Sequence, residues 1–224
     1  GGAWTPIGDV TTTMLWINGQ ITTLAVMKHV LLPSIVCMIV PLIIYTFQLK
    51  GEFTAPAVEI REEKEYGATL IFFLGLIGLV SVPIIKAATG LPPFMGMLIA
   101  LSVLWLVTDA LHHQNESRQH LKIPSILTKI DVSAILFFLG ILLAIASLES
   151  VGILGHLSVW LDSFTSSPSL IASAIGLLSA VVDNVPLVAA SMGMYDMTTY
   201  PVDSSFWLLV AYTAGTGGSI FIIG

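Results

Sequence analysis

The stretch Val181-Val-Asp-Asn-Val-Pro-Leu-Val188 sets an acid and an amide, Asp183 and Asn184, in an otherwise apolar run. A carboxylate in such company needs a reason, and the solvent around it decides what that reason is.

Composition identifies the solvent. Of 224 residues, 55% are hydrophobic and only 10% charged, with a mean hydropathy of +0.93, so a water-soluble domain would lack polar residues to cover its surface. The bilayer is the expected solvent, and the fold class is all-α integral membrane. Five uncharged stretches have spanning length: 31–49, 67–85, 87–108, 132–148 and 204–224. The single cysteine, Cys37, excludes an internal disulfide or a cysteine metal cluster. A net charge of −6 argues against a nucleic-acid partner.

Orientation follows from the basic residues. Lys50, Arg61 and Lys64 fall after the first span, and Arg118, Lys122 and Lys129 after the third, so alternate loops hold six of the eight. The positive-inside rule makes loops 50–66 and 112–131 cytoplasmic and turns 19–30, 86–92 and 152–167 outward, with Lys28 and Lys86 on the outer side. A multi-pass protein of a bacterial inner (cell) membrane is the expected setting, although hydrophobicity does not distinguish it from an organelle. The run Glu59-Ile-Arg-Glu-Glu-Lys-Glu65 reads as a solvated face. His112, His113 and His120 share the second cytoplasmic loop, where they read as solvated residues, with pH sensing or metal binding as the alternative.

The ends of the chain suggest a duplication. Residues 1–8, Gly-Gly-Ala-Trp-Thr-Pro-Ile-Gly, and 217–224, Gly-Gly-Ser-Ile-Phe-Ile-Ile-Gly, agree at four positions. A helix from about Val10 to Ile17 leaves the first octet toward the outside. The segment 163–195 comprises two halves, each too short to span comfortably, joined at Asp183-Asn-Val-Pro186. It reads as a hairpin that enters from outside and returns there, so the last helix approaches its glycines from outside. The two octets then run in opposite directions, as inverted repeats with broken helices do in secondary transporters. Domain organisation is expected as one membrane domain: 1–30 the end of a broken helix and its connector, 31–111 scaffold spans, and 132–224 a second repeat with hairpin 163–195 and broken helix 204–224.

Three strings make a family resemblance specific: Gly1-Gly-Ala-Trp-Thr-Pro-Ile-Gly-Asp-Val-Thr-Thr-Thr-Met-Leu-Trp16, residues 181–195, and Ala214-Gly-Thr-Gly-Gly-Ser-Ile-Phe-Ile-Ile-Gly224. They resemble the signatures of NhaD-type sodium/proton antiporters, which share a superfamily with dicarboxylate and arsenite carriers. The resemblance implies exchange of Na+ or Li+ for H+, two re-entrant hairpins and two broken helices around the site, and no cofactor. It also implies a first hairpin ahead of Gly1, so the chain is expected to be a fragment lacking half of the site.

The chemistry stands apart from the family name. Na+ is a hard cation, suited to carboxylate, carbonyl and hydroxyl oxygens, and antiport needs a ligand that a proton can replace. A carboxylate partly buried at the hairpin tip has its pKa raised by desolvation and lowered by a bound cation, so the two ions compete for it. Asp183 is the first candidate; capping of the following helix is its alternative and compatible role. A charge at mid-bilayer costs ~2.5–3.5 kcal/mol even on the gentler scale, more than capping alone justifies. Asn184 offers a neutral oxygen, and Ser179, one turn earlier, either a hydroxyl ligand or a bond back to its own helix. Asp9 is a second carboxylate, supported by Thr11 or Thr12, or else the N-cap of its helix. Ser219 is a ligand or a small packing residue, and Thr5 a further oxygen donor.

Glu149, Asp109 and Asp131 read as interface acids, and the five tryptophans as packing or interface anchors. The mechanism expected is alternating access, with the spans 31–49 to 94–111 in a static scaffold through which a homodimer forms. Two other readings are weighed. An anion carrier of the same fold would use half-helix N-termini, and Asp183 would repel its substrate. An intramembrane aspartyl protease would share a proton between two aspartates, yet Ile7-Gly8-Asp9 lacks the preceding glycine that such enzymes show.

Overall fold

A computed structural model gives the structure of residues 2–49, 67–112, 121–165 and 167–218. The chain divides into two compact units, residues 1–50 with 133–224, and residues 51–132. Among the described residues there are helices and no strands. The charged segment 50–66, together with His113, Arg118, His120 and Ser219, lies outside them.

The second unit is built on α3 (Ala68–Thr89) and α4 (Pro93–His112), followed by the single short helix α5 (Ile123–Leu127). Gly90, in the left-handed region at φ 70°, ends α3 with its N–H on Lys86 O at 2.9 Å, and Pro93 starts α4 without needing a donor. Small residues let the two helices approach: a Cβ at Gly78 would lie 3.1 Å from Ala100 Cβ, and one at Gly96 3.4 Å from Val82 Cα. Lys122 pairs with Asp109 at 3.4 Å.

In the first unit, α1 (Val10–Asn18) leads through Gly19 to α2 (Thr23–Gln48). Asp203 fixes that entry: its carboxylate accepts from Thr22 N at 2.6 Å and Thr22 Oγ1 at 2.8 Å, while Thr22 Oγ1 accepts from Ala25 N at 3.3 Å. After α6 (Val132–Ser150) come α7 (Ile153–Phe164), α8 (Pro168–Leu178), α9 (Asn184–Met194) and α10 (Ser205–Gly217). The helix α10 packs on α8, α9, α1 and α2, and its Trp207, Val210 and Ala211 are fully buried. Outside this bundle the apolar surface is exposed: α6, nearly all apolar, has no buried residue. Among the described residues, four helices, α2, α3, α4 and α6, have the length and apolar composition to cross a membrane.

Several boundaries differ from those expected. The helix α2 starts at Thr23 rather than Leu31, because Thr22 caps it, so Lys28 is helical; Lys86 lies in the last turn of α3. The expected outward loop 152–167 contains α7, which buries Leu154 and Ser158 and exposes Val159 and Phe164. His112 is not a solvated loop residue: α4 continues through it, and it is buried with neither ring nitrogen hydrogen-bonded. The helix α2 packs with α10 and with the turn at Gly2–Trp4.

The connection from α9 to α10 is held by aromatic and hydroxyl contacts. Tyr200 stacks on Phe206 at 4.2 Å, and Trp207 Nε1 donates to Tyr200 O at 2.8 Å. Tyr195 OH donates to Asp162 Oδ1 of α7 at 3.1 Å; burial first, then that carboxylate, pushes the phenol pKa up. Asp196 Oδ1 accepts from Thr198 Oγ1 at 2.7 Å and from Thr199 N at 2.8 Å, and these bonds hold its carboxyl at about 2, below its ordinary 3.8.

A depressed carboxylate contributes stability that is fully present above pH 3.8 and is lost as pH falls toward about 2. Acid unfolding followed by tryptophan fluorescence is therefore expected to show a stability loss across that window in the wild type that Asp196→Asn lacks. Equal slopes in the two proteins would remove the carboxylate from the loop's stabilisation.

Candidate functional site

The first glycine motif folds as a tight turn. Gly2–Trp4 form one 3-10 turn, Thr5 N donates to Gly2 O at 3.1 Å, and Gly8 N donates to Thr5 O at 3.2 Å. Gly2 and Gly8 approach so closely that a Cβ on either would overlap the backbone of the other, a position open only to glycine. The Thr5 hydroxyl lies against Gly8 and reaches Gly2 O at 3.3 Å, which occupies it within the turn. Thr13 Oγ1 lies 2.8 Å from both Pro6 O and Asp9 O and ties the turn to α1.

Asp9 has the extended backbone of an N-cap, φ −144° and ψ 146°, yet its carboxylate caps nothing. Its Oδ2 accepts the Thr11 hydroxyl instead. Thr12, fully buried, has a hydroxyl without a partner. Across from Asp9 stands α10, where a Cβ on Gly215 would lie 3.0 Å from Asp9 Oδ2. Here the carboxylate borders a cavity of about 340 Å3, walled by Gly2, Ala3 and Gly8 of the turn, Ser34, Cys37 and Met38 of α2, and Gly215 and Thr216 of α10. The described wall has one acid and no Lys, Arg or His.

The hairpin side is built differently. The helices α8 and α10 meet backbone to backbone: a Cβ on Gly217 would overlap Gly176 O and Ser179 Oγ, and one on Gly176 would overlap Thr213. Ser179 Oγ donates to Gly176 O at 2.7 Å, with Ala214 O at 3.3 Å, and the residue is 1% exposed. Of its two expected roles, the bond back to its own helix is the one observed. Thr213 Oγ1 lies 2.9 Å from Ala172 O, a second link between the same helices.

Asp183 was expected to be partly buried at the tip. The structure exposes it, together with Val181 and Val182, and leaves it without a capping bond to α9. Ser179 and Ala180 are each 1% exposed, whereas the chain from Val181 to Asp183 is exposed, so apolar neighbours in sequence do not cover the carboxylate. Asn184 is half-buried as the first residue of α9. Asp9, Thr11 and Gly215 are thus brought together; Asp183 is not among the residues lining the Asp9 cavity. Sequence reasoning passed over Ser34 and Cys37. Their signal was the spacing Pro33-Ser34-x-x-Cys37 on one face of an apolar span.

These features define an all-α integral membrane protein with span-length helices, two short paired helices and a glycine-bounded acidic cavity. A family model described as citrate transporter, CitMHS, matches residues 1–215, and the chain belongs to that family of transporters. Over its full length the chain is 55% identical to sodium/proton antiporter 1 and 48% identical to sodium/proton antiporter 2, both of Arabidopsis thaliana. It is 29% identical to the Na+/H+ antiporter NhaD of Vibrio cholerae, again across the whole chain. The chain spans 39%, 54% and 50% of the length of these three relatives. No solved structure matches it.

The α8–α10 contact yields a stability prediction. Gly217→Ala forces the two backbones apart and is expected to destabilise the protein by about 1–3 kcal/mol, read as a lower unfolding temperature in detergent. Gly218→Ala is the control, since its Cβ meets only Ser179 O at an ordinary 3.7 Å. Equal effects of the two substitutions would contradict the close approach.

Proposed function

We propose that this chain serves in secondary active exchange of Na+ or Li+ for H+, with the cation and the proton competing for membrane carboxylates and no cofactor taking part. The observation that carries the proposal is the Asp9 cavity. An acid with a hydroxyl donor at its side borders an open space whose described wall holds no basic residue. A hard cation is suited to such oxygens, and a proton neutralises the same oxygen when the cation leaves. Neither Asp9 nor Asp183 is occupied in capping a helix, so the structural alternative for each is unsupported. The names of the Arabidopsis and Vibrio relatives point to the same activity.

In this proposal Asp9 and Asp183 are the two exchanging carboxylates, and Thr11 supports Asp9. Asn184, Thr12 and Ser219 add neutral oxygens, while Thr5 and Ser179 shape the turn and the α8–α10 contact through the carbonyls they already bond. The glycine motifs form inverted repeats, and the unit containing α1, α2 and α8–α10 moves in alternating access when neutralised. The scaffold, with any homodimer contact, then comprises α3 and α4. Greater identity to plant proteins than to the bacterial one supports a eukaryotic membrane over the bacterial inner membrane.

The family description favours a second reading, an anion carrier. The acidic wall counts against it, because a carboxylate at Asp9 repels a carboxylate substrate. Inverted vesicles containing the full-length protein separate the two. Asp9→Asn and Asp183→Asn are each expected to lower Na+-induced proton efflux at least about tenfold, equivalent to about 1.4 kcal/mol. Undiminished exchange in Asp9→Asn, or citrate uptake that survives without Na+, would overturn the antiport reading.

A further inference from the structure

Hydroxyls on an apolar helix ordinarily donate to a carbonyl three or four residues back, and this chain follows the pattern widely. Thr46, Ser81, Ser102, Thr108 and Ser147 all do so, at 2.6–2.8 Å. Ser34 of α2 does not. Its Oγ is buried and has no partner, although carbonyls of its own helix are one turn away. Among the described residues the other buried hydroxyls without a partner are those of Thr12 and Ser204, and neither lines the cavity that Asp9 borders; Ser34 does.

We infer that Ser34 is a neutral-oxygen ligand for the alkali cation held at Asp9, an inference that rests on the antiport reading of the cavity. Asp9 on the turn and Ser34 on α2 face one space from two elements 25 residues apart in sequence, so a cation there is held from both sides. A hydroxyl coordinates a cation through its oxygen lone pairs, and with no carbonyl holding its proton the Ser34 Oγ is free to turn them toward the ion. One turn further along α2, Pro41 has no N–H to give to Cys37 O, and Cys37 also lines the cavity. The carboxylate and the hydroxyl are oxygens of the kind hard cations select. Release of the ion returns Ser34 to its unbonded state, so cation occupancy is coupled to α2 as well as to the turn.

Equilibrium binding of radioactive sodium to the purified full-length protein tests this without relying on transport. Ser34→Ala, a favourable substitution inside a helix, is expected to weaken Na+ binding roughly three- to tenfold. Ser34→Thr keeps the hydroxyl and is expected to stay within about twofold of the wild type, and Asp9→Asn is expected to lose binding. If Ser34→Ala binds like the wild type while Asp9→Asn does not, Ser34 is not a ligand and the antiport reading stands. If Ser34→Thr weakens binding as much as Ser34→Ala, the position acts through shape and the inference is overturned. If Asp9→Asn binds like the wild type, the cavity reading itself fails, and Ser34 with it.

Discussion

The first unit depends on the backbone contact of α8 with α10. With no side chain at Gly176 or Gly217, the two helices close to a separation at which Ser179 and Thr213 reach carbonyls of the opposite helix. In lipid there is no hydrophobic gain from bringing helices together, so van der Waals contact and such interhelical hydrogen bonds have to supply the association. The buried faces of α10, with Trp207, Val210 and Ala211, then fix where α1 and α9 dock. Because Gly215 lies on that same helix, the contact also sets the distance between α10 and the Asp9 carboxylate.

A membrane chain with few polar groups has to account for each of them, since an unbonded polar group away from water is expensive. Most hydroxyls here return to backbone carbonyls, and several acids near helix ends find partners: Asp203 on Thr22, Asp196 on two threonines, and Asp109 on Lys122. Against this background the unbonded groups stand out. Thr12 and Ser34 sit near or on the Asp9 cavity, and Asp183 is free at the tip of α8–α9.

The spans were legible because their signal is length of apolar run, which survives errors of several residues at either end. What blurred was the placement of polar residues near helix ends. Lys28 looked like a loop residue, but Thr22 and Asp203, 181 residues apart, cap the helix ahead of it. The amphipathic helix α7 was hidden because Gly155 and Ser158 interrupt its apolar pattern. Asp183 was misjudged for a more general reason. Its apolar neighbours Val181 and Val182 are themselves 72% and 45% exposed, so apolarity along the chain was not burial within the fold. Asp9 and its threonines were legible as a local motif, whereas the cavity joining them to Ser34 and Gly215 arises only when α2 and α10 pack against the turn.

The family description and the relatives' names point to different cargoes, and electrostatics weighs between them. A binding site for a carboxylate substrate needs fixed positive charge or several inward amide donors. At the turn the N–H groups of Thr5 and Gly8 bond to carbonyls within it, and the hydroxyl of Thr13 faces Pro6 O and Asp9 O. What remains on the described wall is a carboxylate and neutral oxygens with no basic side chain. A single negative charge in low-dielectric surroundings attracts a monovalent cation strongly, and protonation cancels that attraction completely, because both ions compensate the same unit charge. Coupling of this kind needs no machinery beyond one uncapped aspartate that either cation can neutralise.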